Sequence, residues 1–97
     1  MLTKEEILKR LREHKGELQQ KFPVKDIALF GSYARGEQTP ESDIDVLVEF
    51  TDPIGWEFID LLEDLEKIFY GVKVDLISKK GIKPHYLPYI EEDVIYA

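Results

Sequence analysis

The apolar positions of the chain follow first a helical and then a strand period. Behind a capping-box pattern at Thr3 and Glu6, apolar residues recur at helical spacing until Phe22–Pro23 interrupts the run. The sequence therefore predicts an amphipathic helix at the start of the chain. Residues 26–30 form a short, mostly apolar segment that stops at Gly31, and this segment predicts the first strand.

A strict alternation of apolar and polar residues in 43–50 predicts the second strand. Its apolar face holds Ile44, Val46, Val48 and Phe50, and its other face holds Asp43, Asp45, Leu47 and Glu49. We expect the first face to meet the core and the second to carry carboxylates.

The second half of the chain continues the same pattern. An apolar stripe over 58–69, with acidic residues off it, predicts a helix, and Gly71 stands where a helix C-terminal glycine belongs. Residues 72–78 alternate again and predict a third strand. Glycine and proline make 79–88 a predicted loop, and 89–96 is predicted to form a short closing helix. The aromatic residues of the helical stripe, Trp56, Phe58 and Phe69, are assigned to core packing.

Composition narrows the class of protein. At 97 residues we expect one domain over residues 1–97. Thirteen basic against twenty acidic residues give a net charge of −7, which is repelled by nucleic-acid phosphates and argues against a DNA- or RNA-binding module. The absence of cysteine excludes a thiolate zinc site and a catalytic thiol. Without a membrane-length apolar run or a signal-like start, the cytoplasm is the expected location, with no membrane partner.

Carboxylates on neighbouring strands are the first candidate for chemistry. Asp43 and Asp45 project from one strand face within about 7 Å of each other. If the second and third strands share a sheet, Asp75 lies on the same outer face. Oxygen ligands of this kind suit Mg²⁺ or Mn²⁺, and two such ions about 4 Å apart clamp the attacking and leaving oxygens of a phosphoryl or nucleotidyl transfer. A solvated polar face remains the alternative interpretation of Asp-x-Asp alone.

A phosphate-binding pattern precedes these carboxylates. Gly31-Ser32 follows a strand and opens a short helix over 33–36. Glycine permits close approach of the backbone, and the Ser32 hydroxyl and the Arg35 guanidinium can reach oxyanions. A plain strand-to-helix turn is the alternative. Together with the carboxylates, however, the pattern matches what a nucleoside triphosphate needs.

Three motifs in this order resemble the minimal nucleotidyltransferase family, the small branch of the DNA polymerase β-like superfamily. They are Gly31-Ser32-Tyr33-Ala34-Arg35-Gly36, Ser42-Asp43-Ile44-Asp45-Val46-Leu47-Val48 and Val74-Asp75-Leu76-Ile77. The resemblance covers nearly the whole chain. It implies an α+β fold, in which helices pack on one face of a small mixed β-sheet and an Mg²⁺–ATP site lies on the other.

The resemblance also implies a role for each motif residue. Gly31 and Ser32 would hold the triphosphate of ATP, the expected substrate, and Arg35 would either meet phosphate or brace the loop. The implied catalytic and metal-binding residues are Asp43, Asp45 and Asp75. The first two would bind two Mg²⁺ ions, and the third would complete one metal site and help to activate the acceptor hydroxyl.

Members of this family resemble the antitoxin half of gene pairs whose other half is a HEPN-domain ribonuclease. The resemblance implies an enzyme, a protein adenylyltransferase that silences its toxin by moving AMP from ATP to a tyrosine hydroxyl and can form an oligomer with it. Two alternatives stay open: neutralisation of the toxin by binding alone, and nucleotidyl transfer to a small molecule.

Overall fold

A computed structural model describes all residues of the chain, Met1–Ala97. Four helices and four strands follow the order α1, β1, α2, β2, α3, β3, α4, β4. The helices are α1 (Lys4–Lys21), α2 (Gly31–Arg35), α3 (Glu57–Ile68) and α4 (Leu87–Glu91). The strands are β1 (Val24–Phe30), β2 (Ile44–Phe50), β3 (Val74–Ser78) and β4 (Ile95–Tyr96), and a 3₁₀ turn spans Lys79–Gly81.

The strands form one mixed sheet in the order β3-β2-β1-β4. β1 is antiparallel to both β2 and β4, whereas β2 and β3 are parallel and are connected through α3. The predicted α+β fold with a small mixed sheet is confirmed. Because β1 runs toward the end of the sheet where β2 and β3 begin, the last residue of β1 and the first residues of β2 and β3 meet there.

The main core lies between the sheet and the helices α1 and α3. The capping box forms as predicted, with Glu6 N donating to Thr3 Oγ1 at 3.2 Å. Ile7 on α1, Leu65 on α3 and Val46 on β2 are fully buried in one core cluster. Burying such side chains contributes about 1.5 to 3 kcal/mol each, so the alternation in β2 fixes which face of the sheet turns inward.

The outer face of the sheet carries a second, smaller apolar cluster that the sequence did not predict. Ala28, Phe30 and Leu47 are buried there, and Leu47 is only 2% exposed although it lies on the face of the carboxylates. The segment 82–94 supplies the apolar side chains that pack over it. Buried Leu47 therefore separates Asp43 and Asp45, at one end of this face, from Glu49 at the other.

The predicted closing helix over 89–96 is wrong. The helix begins at Leu87 and ends at Glu91, and Ile95–Tyr96 instead forms an edge strand against Ala28 and Leu29 of β1. Pairing satisfies backbone groups that the β1 edge would otherwise leave open, and β-branched and aromatic residues favour it.

The assignment of Trp56 to the core is also wrong, because its side chain is 86% exposed. Trp56 stands immediately before the first residue of α3 and falls outside the buried stripe of that helix. Phe69 is fully buried, and Phe58 packs edge-on against Phe50 with the ring centres 6.4 Å apart. None of the helices is both long and apolar enough to cross a membrane.

Candidate active site

Three acidic side chains lie where the strands meet at one end of the sheet. In the parallel pairing of β2 and β3, Asp45 stands directly opposite Asp75. Asp43 precedes β2 by one residue, and its carboxylate lies 3.8 Å from the Lys73 ammonium group. Asp75 is exposed, whereas Asp43 and Asp45 are half-buried. Like charges opposite each other destabilise a sheet, so this end of the sheet is not optimised for stability.

The electrostatic setting of Asp45 differs from that of an ordinary carboxyl group. Partial burial, followed by the negative charges of Asp75 and Asp43, raises the pKa of Asp45 from 3.8 to about 6. The positive charge of Arg35 acts in the opposite direction. A carboxyl group whose pKa is raised by burial and by neighbouring carboxylates is typical of functional sites. A bound cation would stabilise its ionised form.

Asp45→Asn should stabilise the metal-free protein at neutral pH. The folded protein binds more protons than the unfolded chain between about pH 4 and pH 6, so its free energy of unfolding falls as the pH rises through that window. Charged Asp45 then destabilises the fold by about 1 kcal/mol, once solvent screening is allowed for. Urea unfolding with a chelator measures the difference between variant and wild type at about pH 3.5 and pH 7.5.

The control for that measurement is Glu41→Gln, which removes the same charge at an exposed loop position. It should leave stability almost unchanged at both pH values. If Asp45→Asn raised the free energy of unfolding by the same amount at both pH values, the electrostatic explanation would be contradicted.

Gly31 connects the glycine turn directly to this carboxylate. Its φ of +74° lies in the left-handed region, which favours glycine. A Cβ atom at Gly31 would lie 2.9 Å from Asp45 Cγ and would overlap the nearer carboxylate oxygen. The Asp45 carboxylate therefore packs over the Gly31 backbone. This contact was not predicted from the sequence, and it follows from the pairing of Phe30 with Asp45.

The short helix α2 places the remaining predicted residues. Ser32, the second residue of α2, is half-buried, and no side chain caps the helix start at Phe30. Arg35 ends the helix, and its guanidinium lies between two carboxylates: Nη1 donates to Asp93 at 2.8 Å and Nε donates to Glu37 at 3.2 Å. These bonds, the one with Asp93 foremost, raise the pKa of Arg35 above its ordinary value. The involvement of Asp93 was not predicted.

The site thus combines a glycine turn, an arginine and three carboxylates from neighbouring strands. As they stand, no three acidic or histidine side chains are gathered in metal-ligand geometry. The fold and the order of the motifs on it define the class of protein: an enzyme that transfers nucleotidyl groups.

Comparison with known proteins agrees with this class. The sequence model of the family described as "Nucleotidyltransferase domain" matches residues 11–97, and the chain belongs to this family. It is 57% identical to a Methanocaldococcus jannaschii protein named "putative protein adenylyltransferase", with all of both chains covered. It is 43% identical to the protein adenylyltransferase MntA of Thermococcus cleftensis, over 100% of this chain and 98% of the other. The resemblance drawn from the sequence is confirmed.

Solved structures share the fold. A structure described as a "putative minimal nucleotidyltransferase" matches with a TM-score of 0.82 and 27% identity, covering 97% of this chain and 95% of the other. A toxin–antitoxin protein with AMP-PNP matches with a TM-score of 0.69 and 25% identity, over 98% and 72% of the two chains. A Shewanella oneidensis complex of a tri-AMPylated HEPN toxin with its MNT antitoxin shares the fold, with a TM-score of 0.67, 20% identity and coverage of 93% and 70%.

Proposed function

We propose that this nucleotidyltransferase moves AMP from ATP to a hydroxyl group of a partner protein in an Mg²⁺-dependent reaction. The observation that carries the proposal is the packing of Asp45 over Gly31, with Asp75 directly opposite. This arrangement joins a backbone turn that admits phosphate to carboxylates that bind hard cations. Relatives named as protein adenylyltransferases support the choice of acceptor class.

In this proposal the glycine turn holds the triphosphate. Gly31 lets the backbone come close to the phosphates, and the uncapped first N–H groups of α2 are available as donors. The Ser32 hydroxyl donates a further hydrogen bond, and Arg35 offers positive charge at the other end of α2.

The donor set at Asp43, Asp45 and Asp75 fits Mg²⁺, which prefers carboxylate oxygens. Partial burial, and after it the negative charges of Asp75 and Asp43, raise the pKa of Asp45, and a divalent ion would offset both effects. Asp43, Asp45 and Asp75 would hold the ion, and its positive charge would favour the ionised form of Asp45. When bound, the ion supplies charge stabilisation at the α-phosphate and at the leaving pyrophosphate.

The reaction itself is an in-line displacement at the α-phosphorus of ATP. The acceptor oxygen forms a bond to that phosphorus, the bond to the bridging oxygen of the β-phosphate breaks, and pyrophosphate leaves. Asp75, the most exposed of the three carboxylates, takes the acceptor proton. Exposure of this residue leaves the acceptor side of the site open to a second protein.

We further propose that the acceptor is a tyrosine of a HEPN-type toxin, in the cytoplasm, and that residues 1–97 act as one domain. The similarity to the AMP-PNP-bound toxin–antitoxin protein and to the AMPylated HEPN toxin complex supports the choice of partner.

Labelled ATP tests the proposal. Incubation with lysate of the host cell, Mg²⁺ and α-³²P-ATP should yield a labelled protein band, whereas γ-³²P-ATP should yield none above background. The α-phosphate is transferred with AMP and the γ-phosphate leaves with pyrophosphate, so the pair of labels separates nucleotidyl transfer from phosphoryl transfer. Mass spectrometry of the band should place AMP on tyrosine.

The matched control is the Asp43→Asn/Asp45→Asn variant, which should label nothing. A band with γ-labelled ATP alone would contradict nucleotidyl transfer. A partner that co-purifies with the protein but is labelled by neither wild type nor variant would favour neutralisation by binding.

A further inference from the structure

An ion pair joins the glycine turn to the C-terminal segment. Arg35 at the end of α2 and Asp93 between α4 and β4 are 58 residues apart in the chain, yet Nη1 and Oδ2 lie 2.8 Å apart. The Asp93 side chain is 27% exposed, against 66% for Glu37, the other partner of Arg35. Shelter from water makes the Asp93 pairing the stronger of the two.

Asp93 is also the better anchored of the two carboxylates. Val94, the next residue, packs against the small apolar cluster on the outer face, and Ile95 pairs with Leu29 in the sheet. Glu37 instead follows α2 in an exposed loop. Asp93 thus ties Arg35 to the sheet, whereas Glu37 ties it only to the exposed loop that follows α2.

The Arg35 guanidinium can still bind an anion while Asp93 and Glu37 hold it. Nε and Nη1 take part in the two ion pairs, and Nη2 has no protein partner in the structure. The charge of Arg35 also reaches Asp45. Because a guanidinium carries five N–H donors in a fixed fork, Nε and Nη1 can be anchored while the N–H groups of Nη2 bind an anion.

We propose that Asp93 is a positioning residue that holds the Arg35 guanidinium beside the glycine turn, where its unpaired Nη2 group binds a phosphate group of the nucleotide. This inference rests on the proposed function. The opposite arrangement, a latch that keeps Arg35 away from phosphate, would require two ion pairs to break before ATP binds. The structure favours positioning because Nη2 is free without any rearrangement.

Calorimetric binding of AMP-PNP with Mg²⁺ to the full chain tests the inference. Asp93→Asn should weaken binding roughly five- to tenfold, the size of coupling found between residues in direct contact. In an Arg35→Ala background the same substitution should have no further effect, because Asp93 acts through Arg35. Asp93→Glu, which keeps the charge, should restore part of the affinity. A merely structural role would not produce this pattern.

Asp64→Asn is the matched control. It removes the same charge from an ion pair of similar exposure, Asp64 with Lys21 at 2.6 Å, which joins α3 to α1 away from the site. It should leave AMP-PNP affinity unchanged. Glu37→Gln also removes a negative charge beside Arg35, but Glu37 is not held by the sheet. It should weaken AMP-PNP binding less than Asp93→Asn does.

Three results would overturn this inference but leave the proposed function intact. They are unchanged AMP-PNP affinity in Asp93→Asn, tighter binding in that variant, or an equal loss of affinity when Asp93→Asn is made in the Arg35→Ala background. Tighter binding would indicate a latch. Failure of the wild type to bind AMP-PNP with Mg²⁺ would overturn the proposed function and this inference with it.

Discussion

Asp45→Asn should reduce transfer of AMP by roughly a thousandfold while the protein stays folded, an effect of the size seen when one preorganised electrostatic group is lost. The amide is nearly isosteric with the carboxylate, so it still fits over Gly31. It carries no charge, and its NH₂ group repels a cation where the carboxylate would ligate it. Initial rates of labelled AMP transfer measure the loss, and thermal unfolding without metal monitors the fold.

Glu49→Gln is the matched control for Asp45→Asn. Glu49 lies on the same strand and outer face, but its carboxylate is paired with Lys25 and Lys79, each at 3.9 Å. Its conversion to the amide should change transfer by less than about threefold, because its ion pairs are partly exposed and long and lie away from Asp45. If Asp45→Asn kept full transfer activity, the proposed mechanism would be wrong.

The joint outcome for Asp45→Asn distinguishes a catalytic residue from a structural one. A structural carboxylate lowers both stability and activity when it is removed. Asp45 should instead yield a variant that is more stable than the wild type at neutral pH without metal, and almost inactive. Such a trade-off is characteristic of charges that a fold tolerates for the sake of function.

The central part of the fold could be predicted from local pattern. The alternation in β2 determines which side chains face the core, and the same rule applied to β3 places Asp75 on the face of Asp45, as the structure shows. Periodicity succeeds here because both strands have one buried face.

Contacts between distant segments could not be predicted in this way. Leu47 alternates as a surface residue, yet it is buried because segment 82–94 folds over it. The short strand β4 forms because the edge of β1 is open to pairing. The local sequence of residues 95–96 does not indicate that this edge is open. The Arg35–Asp93 pair depends on both events, so only the assembled fold brings its two members together.

Gly31→Ala should reduce nucleotidyl transfer by roughly a hundredfold, because an added Cβ displaces a group on which the chemistry depends. The new methyl group would overlap the Asp45 carboxylate, and the backbone at φ +74° would be strained. Moving Asp45 by even about 1 Å misaligns it with Asp75 and closes the space next to the turn. Initial rates of AMP transfer and AMP-PNP affinity measure the two consequences.

Gly36→Ala separates the displacement of Asp45 from backbone strain. Gly36 has nearly the same φ, +72°, but a Cβ there meets no atom within 4 Å. Gly36→Ala should lose roughly 1 to 2 kcal/mol of stability, the penalty for a side chain in the left-handed region, and Gly31→Ala should lose at least as much because its methyl group also displaces Asp45. Only Gly31→Ala should also lose most of its activity. Equal activity losses would trace the effect to strain in α2, and the contact between Gly31 and Asp45 would then have no part in catalysis.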